Sequence, residues 1–146
     1  MFRQISIFVA LLVGVSLLAV AADDPIAQRQ ALMKDVRGGA KDIGGMLRGD
    51  APFDADLAMQ GLMAWRKAAQ EFGDLFPDGT QTGGDTEALP SIWEDREGFE
   101  KALAAFGEAT EAAIAADPQS LEALKGAAGP VFNKCKACHE DYRAED

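Results

Sequence analysis

The sequence is poor in cysteine, histidine and positive charge. Its 146 residues include two Cys, one His and one Tyr, and 14 Lys and Arg face 24 Asp and Glu. So few cysteines exclude a disulfide-dense fold, and the acidic excess excludes holding a nucleic-acid backbone by charge. Hydrophobic residues make up 48% of the chain, with 15 Gly and 6 Pro. We therefore expect one compact domain, not a disordered or collagen-like chain.

The first 22 residues have the order of a secretory signal peptide. Arg3 precedes an apolar run over residues 5–20, and small residues end the segment, among them Ala21 and Ala22. That order predicts export, with cleavage after Ala21 or Ala22. An uncleaved membrane anchor is the alternative, because the run approaches the roughly 20 residues that span a bilayer. The glycine and serines within the run favour cleavage, which leaves residues 23–146 as the mature domain.

Four long helices are predicted by apolar residues that recur three or four positions apart, and no strand-like alternation is present. Capping signals place the starts of these helices at Asp24, at Asp54 or Asp56, at Ser91 and at Asp117. Residues 76–90 are rich in turn formers and predict one long loop. Within the last helix, Gly129 and Pro130 are expected to bend or restart the chain.

The lengths and links of these helices predict the fold class. Four helices of about 20 to 27 residues with two short links and one longer loop are typical of an all-α, antiparallel (up-down-up-down) four-helix bundle. The first and last helices of such a bundle lie side by side. The start of the first helix therefore meets the end of the last.

Both cysteines and the histidine lie in one five-residue string, Cys135-Lys136-Ala137-Cys138-His139. Cys-x-x-Cys-His is the attachment signature of c-type haem. On a helix, residues three and four apart share a face, so both sulfurs can reach the porphyrin vinyl groups while the imidazole turns under the iron. The motif predicts one covalent haem c near one end of the bundle, with His139 as an iron ligand.

Three other interpretations of the Cys pair compete with haem attachment. A structural zinc site needs four Cys or His ligands, and the chain has three such residues. A thioredoxin-like dithiol needs a preceding strand, whereas helical periodicity precedes this motif. A disulfide between positions three apart is awkward on a continuous helix.

The second side of the iron separates an electron carrier from a ligand binder. His139 is the single histidine, so two-histidine ligation is excluded. Met33 is expected at the level of the motif in an up-and-down bundle. Met46 lies about 20 Å farther along at about 1.5 Å per residue, and Met59 and Met63 fall short of that level on the second helix. Met33 is thus the candidate ligand, unless it only shields a five-coordinate iron.

The mature chain resembles the class II c-type cytochromes, cytochrome c′ and its low-spin relatives, from end to end. Ordinary class I cytochromes c carry the haem motif near the N-terminus instead. The matching strings besides the C-terminal motif are Arg29-Gln30-Ala31-Leu32-Met33, Leu75-Phe76-Pro77, Gly79-Thr80, Ile92-Trp93 and Tyr142-Arg143.

That resemblance implies roles for three further residues. In high-spin members an apolar residue blocks the distal face at the position of Met33, and Met there is similar to the low-spin branch. Arg143 is implied to lie beside the His139 side of the haem or a propionate, with a solvated C-terminal arginine as the alternative. Arg29 belongs to the matching string on the first helix and is implied to contact the cofactor.

The resulting functional expectation is a periplasmic electron carrier with low-spin haem held by His139 and Met33. The alternative is a high-spin haem protein that binds nitric oxide or carbon monoxide at an open distal site. An enzyme is not expected, because the single histidine is engaged and no Ser-His pair can form.

The acidic surface predicts which kinds of molecule the protein can bind. After residue 22 the formal charge is −11, because Arg3 is the single charged residue before it. Such a surface suits a redox protein with a basic docking face, and neither nucleic acid nor stable membrane insertion after cleavage is expected. The resemblance also leaves a homodimer through the first two helices open.

Overall fold

Four long helices make up most of the chain that the computed structural model describes, residues 24–145. The helices are α1 (Pro25–Arg48), α2 (Ala55–Glu71), the short α3 (Ser91–Glu94), α4 (Arg96–Ala115) and α5 (Leu121–Tyr142), and a 3-10 turn covers Phe72–Leu75. No helix of the described range is long and apolar enough to cross a membrane. The predicted signal peptide lies outside the described residues, so its cleavage stays a prediction.

Neighbouring long helices run antiparallel. The indole Nε1 of Trp65 on α2 donates to the Val36 carbonyl on α1 at 3.0 Å, and the sulfur of Met46 accepts from the Asp54 backbone N–H at 3.4 Å. Residue numbers that rise along α1 thus meet numbers that fall along α2. α2 packs on α4, α4 packs on α5, and α5 closes the ring against α1. The predicted all-α four-helix bundle is confirmed.

Two glycines let α1 and α2 approach closely. A Cβ built on Gly39 would lie 2.8 Å from the Cα of Gly61 and 3.2 Å from the indole nitrogen of Trp65. Contacts under 3.0 Å to backbone require the helices to move apart. The spacing of this helix pair therefore depends on the absence of a side chain at Gly39.

The first two helix starts agree with the sequence prediction. The Asp24 carboxylate accepts from the Ile26 N–H at 2.9 Å, and Asp54 accepts from the Leu57 N–H at 2.9 Å. Both side chains satisfy a backbone donor that the first turn leaves unpaired. At the other end of α1, Gly49 adopts φ 79°, a left-handed conformation that favours glycine.

The predicted capping box at Ser91 is wrong. Its hydroxyl donates to the Asp141 carbonyl at 2.7 Å instead of capping a helix, and α3 ends after four residues. Asp95 begins the long helix α4 by accepting from the Gly98 N–H at 3.1 Å. Ser91 is held by a tertiary contact to the end of α5, which the local pattern could not show.

The start and continuity of α5 also differ from expectation. Ser120, and not Asp117, caps α5 by accepting from the Ala123 N–H at 3.2 Å. The helix then runs without interruption through Pro130, although a bend or restart was predicted there. Proline removes one N–H donor, and the carbonyl it would have met belongs to Gly126, which is exposed to solvent. Buried Ala128 and Val131 hold the helix against the bundle on either side.

A second, aromatic cluster fills the end of the bundle near the C-terminus. Phe99 packs edge-on against Tyr142 with ring centroids 5.3 Å apart and against Phe76 at 4.9 Å. Phe76 in turn meets Trp93 at 5.6 Å. Cys138 packs against this cluster. The end of α5 is therefore anchored by rings from the loop and from α3 and α4.

Candidate haem site

A cavity of about 560 Å³ lies between α1, α5, the aromatic cluster and the loop after Phe76. Aromatic rings contribute much of its wall, among them Phe76, Phe99, Phe106 and Phe132. All the predicted site residues line it: Arg29, Met33, Cys135, Cys138, His139 and Arg143. The structure brings together residues that lie more than a hundred positions apart in sequence.

One face of α5 carries the motif to this cavity. Phe132, Cys135, Cys138 and Tyr142 recur at helical spacing, and each lines the cavity. Because α5 is unbroken here, both thiols project from one rigid element. Both cysteines are free and half-buried.

The environment of the thiols argues against a redox dithiol. Burial raises the pKa of Cys138 to about 11, with smaller contributions from Cys135 and Asp141. Burial also raises the pKa of Cys135. Reactive dithiols need a lowered pKa, because the thiolate is the nucleophile. The pair stays protonated at neutral pH, which suits attachment sites and not disulfide exchange.

His139 lies at the edge of the cavity on the same turn of α5. Partial burial lowers its pKa, the neighbouring Arg143 guanidinium lowers it further, and the Glu87 carboxylate opposes both. The imidazole is therefore neutral at neutral pH, which is the form that binds a metal ion.

Arg29 is buried in the wall that α1 provides, with 4% of its surface exposed. Its Nη2 donates to the Thr80 carbonyl at 3.0 Å and to the Thr86 hydroxyl at 3.4 Å, and its guanidinium carbon lies 4.5 Å from the Phe76 ring centroid. Burial lowers the pKa of Arg29, and Asp24 partly offsets the effect. Arg29 is thus a buried cation in the wall of the cavity.

The loop clamps the end of α5 beside the cavity. The Leu89 N–H donates to the Tyr142 carbonyl at 3.0 Å, and the Ala144 N–H donates to the Glu87 carbonyl at 2.8 Å. The side chains of Arg143 and Glu87 form an ion pair of 2.6 Å. Arg143 is half-buried here, and its contact with the haem stays a prediction.

Met33 is the one methionine of residues 24–145 that lines the cavity. Met46 is 1% exposed in the main core, Met59 packs partly buried against that core, and Met63 is 42% exposed. The antiparallel register thus places Met33 at the level of the motif, as the sequence predicted. No such register signal pointed to the loop residues Thr80, Thr86 and Glu87, whose roles depend on where a long irregular segment folds.

The residues present fit a covalently attached haem. Two thiols three apart, a neutral imidazole and a buried guanidinium face one apolar cavity. A four-helix bundle with this donor set at the end of its last helix defines a c-type haem protein.

The comparisons with known proteins agree with that class. A family model described as cytochrome c′ matches residues 24–143. Cytochrome c′ of Rhodopseudomonas palustris is 40% identical over 127 residues, which cover 87% of this chain and 86% of that protein. Its solved structure has a TM-score of 0.80 at 39% identity and covers 84% of this chain and 98% of that one. The chain belongs to the cytochrome c′ family.

Other relatives span both branches of the family. Cytochrome c-556 of Agrobacterium tumefaciens is 30% identical over 118 residues, which cover 81% of this chain and 95% of that protein. A cytochrome c′ variant from Alcaligenes xylosoxidans, solved as its nitric oxide complex, has a TM-score of 0.72 at 27% identity, covering 84% of this chain and 96% of that one.

Membership of the cytochrome c′ family identifies the cofactor. Cys135 and Cys138 are the attachment sites of a covalent haem c. The family consists of non-enzymatic haem proteins, which confirms that the chain is not an enzyme. Its members are typically periplasmic, and a cytochrome implies redox partners.

Proposed function

We propose that this chain is an exported haem protein that takes nitric oxide or carbon monoxide on the distal side of its iron, with His139 as the proximal ligand. The observation that carries the proposal is its relation to cytochrome c′, at 40% identity over most of both chains. The nitric oxide complex of a structural neighbour supports the ligand class. The comparisons thus favour the alternative of the sequence analysis over its main expectation of an electron carrier.

The chain's own residues hold and shield the cofactor. When bound, the haem supplies an iron that takes a diatomic ligand and exchanges single electrons. His139 offers a neutral ring nitrogen from α5. Arg29 offers a buried positive charge that suits a propionate carboxylate. Phe76, Phe99 and Phe132 provide apolar wall against which a porphyrin can pack.

Met33 faces the cavity from α1, opposite the helix that carries His139. In the proposed function its side chain shields the distal side and limits the size of the incoming ligand. A thioether is apolar and flexible, so it can give way to a diatomic molecule.

Titration of the ferrous protein with carbon monoxide, followed by the Soret absorption band, tests this function. We expect a broad, high-spin ferrous spectrum that shifts on addition of the gas. A sharp low-spin spectrum that carbon monoxide leaves unchanged would contradict the proposal.

A second candidate is the electron carrier, in which Met33 binds the iron. The observation in its favour is the position of Met33, since its thioether lines the cavity and the other methionines of the described chain do not. The relation to cytochrome c-556 at 30% identity is the weaker of the two similarities. The carbon monoxide titration separates the candidates, because a Met-bound iron has no open position.

A further inference from the structure

Most charged residues that line the cavity are positive, whereas the molecule as a whole has a negative net charge. Residues 24–145 contain 13 Lys and Arg and 22 Asp and Glu, since Arg3, Asp23 and Asp146 lie outside this range. The charged residues that line the cavity are five cations and two carboxylates, namely Arg29, Lys34, Arg37, Lys134 and Arg143 with Asp85 and Glu87. More than a third of the described cations thus gather at one site of an acidic protein.

Three of these cations form what we call the basic rim: Lys34 and Arg37 on α1 and Lys134 on α5. All three are exposed, and none makes an ion pair with another residue of the described range. Their lack of partners leaves their charge available to a molecule outside the chain.

The two carboxylates that line the cavity come from the loop, whose Gly84 and Asp85 carbonyls accept from the Gln30 side chain on α1. Asp85 and Glu87 belong to the loop, and Glu87 is already paired with Arg143 at 2.6 Å. A haem brings a pair of propionate carboxylates, but five cations line the cavity, so its balance stays positive. The lining of the cavity therefore carries more positive than negative charge, while the whole molecule carries −10.

We propose that the basic rim docks an acidic face of the protein that exchanges electrons with the haem. Over the roughly 8 Å screening length at physiological salt, charges at the docking face outweigh net charge on the far side of the molecule. This partner is opposite in sign to the basic one that net charge predicted. The inference requires a haem in the cavity but neither of the two candidate functions, so a failed carbon monoxide titration leaves it standing.

The test compares two double variants of equal net charge. Lys34→Glu/Lys134→Glu reverses two charges of the rim. Lys67→Glu/Lys125→Glu reverses two exposed lysines that do not line the cavity and make no ion pair among the described residues. Each holoprotein, reduced to the ferrous state, is oxidised with ferricyanide, an anion, at about 0.1 M ionic strength, where the screening length is about 10 Å.

We expect the rim variant to react about three- to tenfold more slowly than the wild type and the control variant to change little. In the wild type the rate should fall as salt is raised further, because screening weakens an attraction. Equal rates for the two variants, or a wild-type rate that rises with salt, would overturn the proposal.

Calorimetry with poly-L-glutamate supplies a readout independent of electron transfer. The polymer presents the carboxylates of an acidic protein face, so the wild type and the control variant should bind it and the rim variant should not. Binding that ignores the rim substitution contradicts the proposal. So does rim-dependent binding to phosphatidylglycerol vesicles without binding to the polymer, because the surface would then fit a membrane.

Discussion

At the scale of single residues, the α5 wall of the haem cavity determines where the haem is attached, whereas the α1 wall determines whether its iron can bind a ligand. On α5 the motif determines the attachment sites, because two thiols and an imidazole share one helical face. On α1 a single thioether decides whether the iron has an open position. Met33 is therefore the residue whose substitution is most informative.

Replacement of Met33 by Ala should increase the affinity of the ferrous protein for carbon monoxide. The wild type binds the gas in the proposed function, and removal of the shielding side chain enlarges the distal space, with an expected gain of up to about tenfold, equivalent to about 1.4 kcal/mol. Affinity is measured by absorption titration. Met63→Ala, a change at an exposed methionine of α2, is the matched control and should leave affinity unchanged. If only the Met33 variant binds the gas, the electron carrier is the correct candidate.

Tyr142 should ionise above its ordinary range. Burial raises its pKa, and the charges of Asp95 and Asp141 and the hydrogen bond from its hydroxyl to Asp95 at 3.4 Å raise it further. It is the single tyrosine of the chain, so ultraviolet difference absorption reports it alone. Asp95→Asn keeps a capping oxygen for α4 but removes the charge, and it should shift the tyrosine pKa downward. Asp56→Asn on α2 should not, and an unshifted Asp95→Asn variant would contradict the assigned cause.

The raised pKa of Tyr142 also predicts a pH dependence of stability. A group whose folded pKa lies above its unfolded value of about 10 contributes stability below pH 10, and the contribution disappears as pH rises through the folded pKa. The free energy of unfolding should therefore fall with rising pH above about 10. Tyr142→Phe should flatten that alkaline fall in denaturant titrations, and an unchanged slope would argue against the linkage.

At the scale of helices and loops, the close approach of α1 and α2 is open to a direct test. Gly39→Ala places a Cβ 2.8 Å from the Gly61 Cα, so the free energy of unfolding should fall by about 1–3 kcal/mol. Gly38→Ala, one position earlier with nothing within 4 Å, should instead gain about 0.5–1 kcal/mol from helix propensity. Guanidinium denaturation followed by circular dichroism measures both. Equal effects would mean that the helices separate freely at this contact.

The elements that the sequence predicted correctly are those set by local chemistry. Asp24 and Asp54 cap helices because a carboxylate reaches its own first turn, and the helical period of the apolar residues predicts the bundle. Ser91 does not cap a helix because it is the first residue inside α3, and its hydroxyl donates to the Asp141 carbonyl fifty residues away. Pro130 failed as a break because tertiary packing of its neighbours outweighs one lost hydrogen bond.

The site residues also divide into those that sequence patterns predict and those that depend on tertiary contacts. The motif and the register of antiparallel helices predict that Met33 meets Cys138 and His139, and one cavity contains all three. The clamp made by Glu87 and the threonine contacts of Arg29 arise from the path of the long loop, which no periodic pattern encodes. The basic rim was also missed, because net charge averages over positions that only the fold brings together.

At the scale of the whole molecule, the helices of the bundle surround the cavity that the cofactor occupies. Cys135→Ser/Cys138→Ser should yield a chain with the mass of the bare polypeptide and lower stability to denaturant, because the cavity of about 560 Å³ loses a covalently held occupant. Mass spectrometry and denaturation check the two parts. Retention of a tightly bound haem at unchanged stability would show that the thioethers are dispensable for holding it.

The spin state of the iron in the oxidised wild-type protein tests the central claim most directly. Electron paramagnetic resonance of the ferric form distinguishes an iron held by His139 alone from one held by His139 and Met33 together. We predict a high-spin signal, as an open distal side requires. A purely low-spin signal at neutral pH would contradict the account and assign the sixth position to Met33.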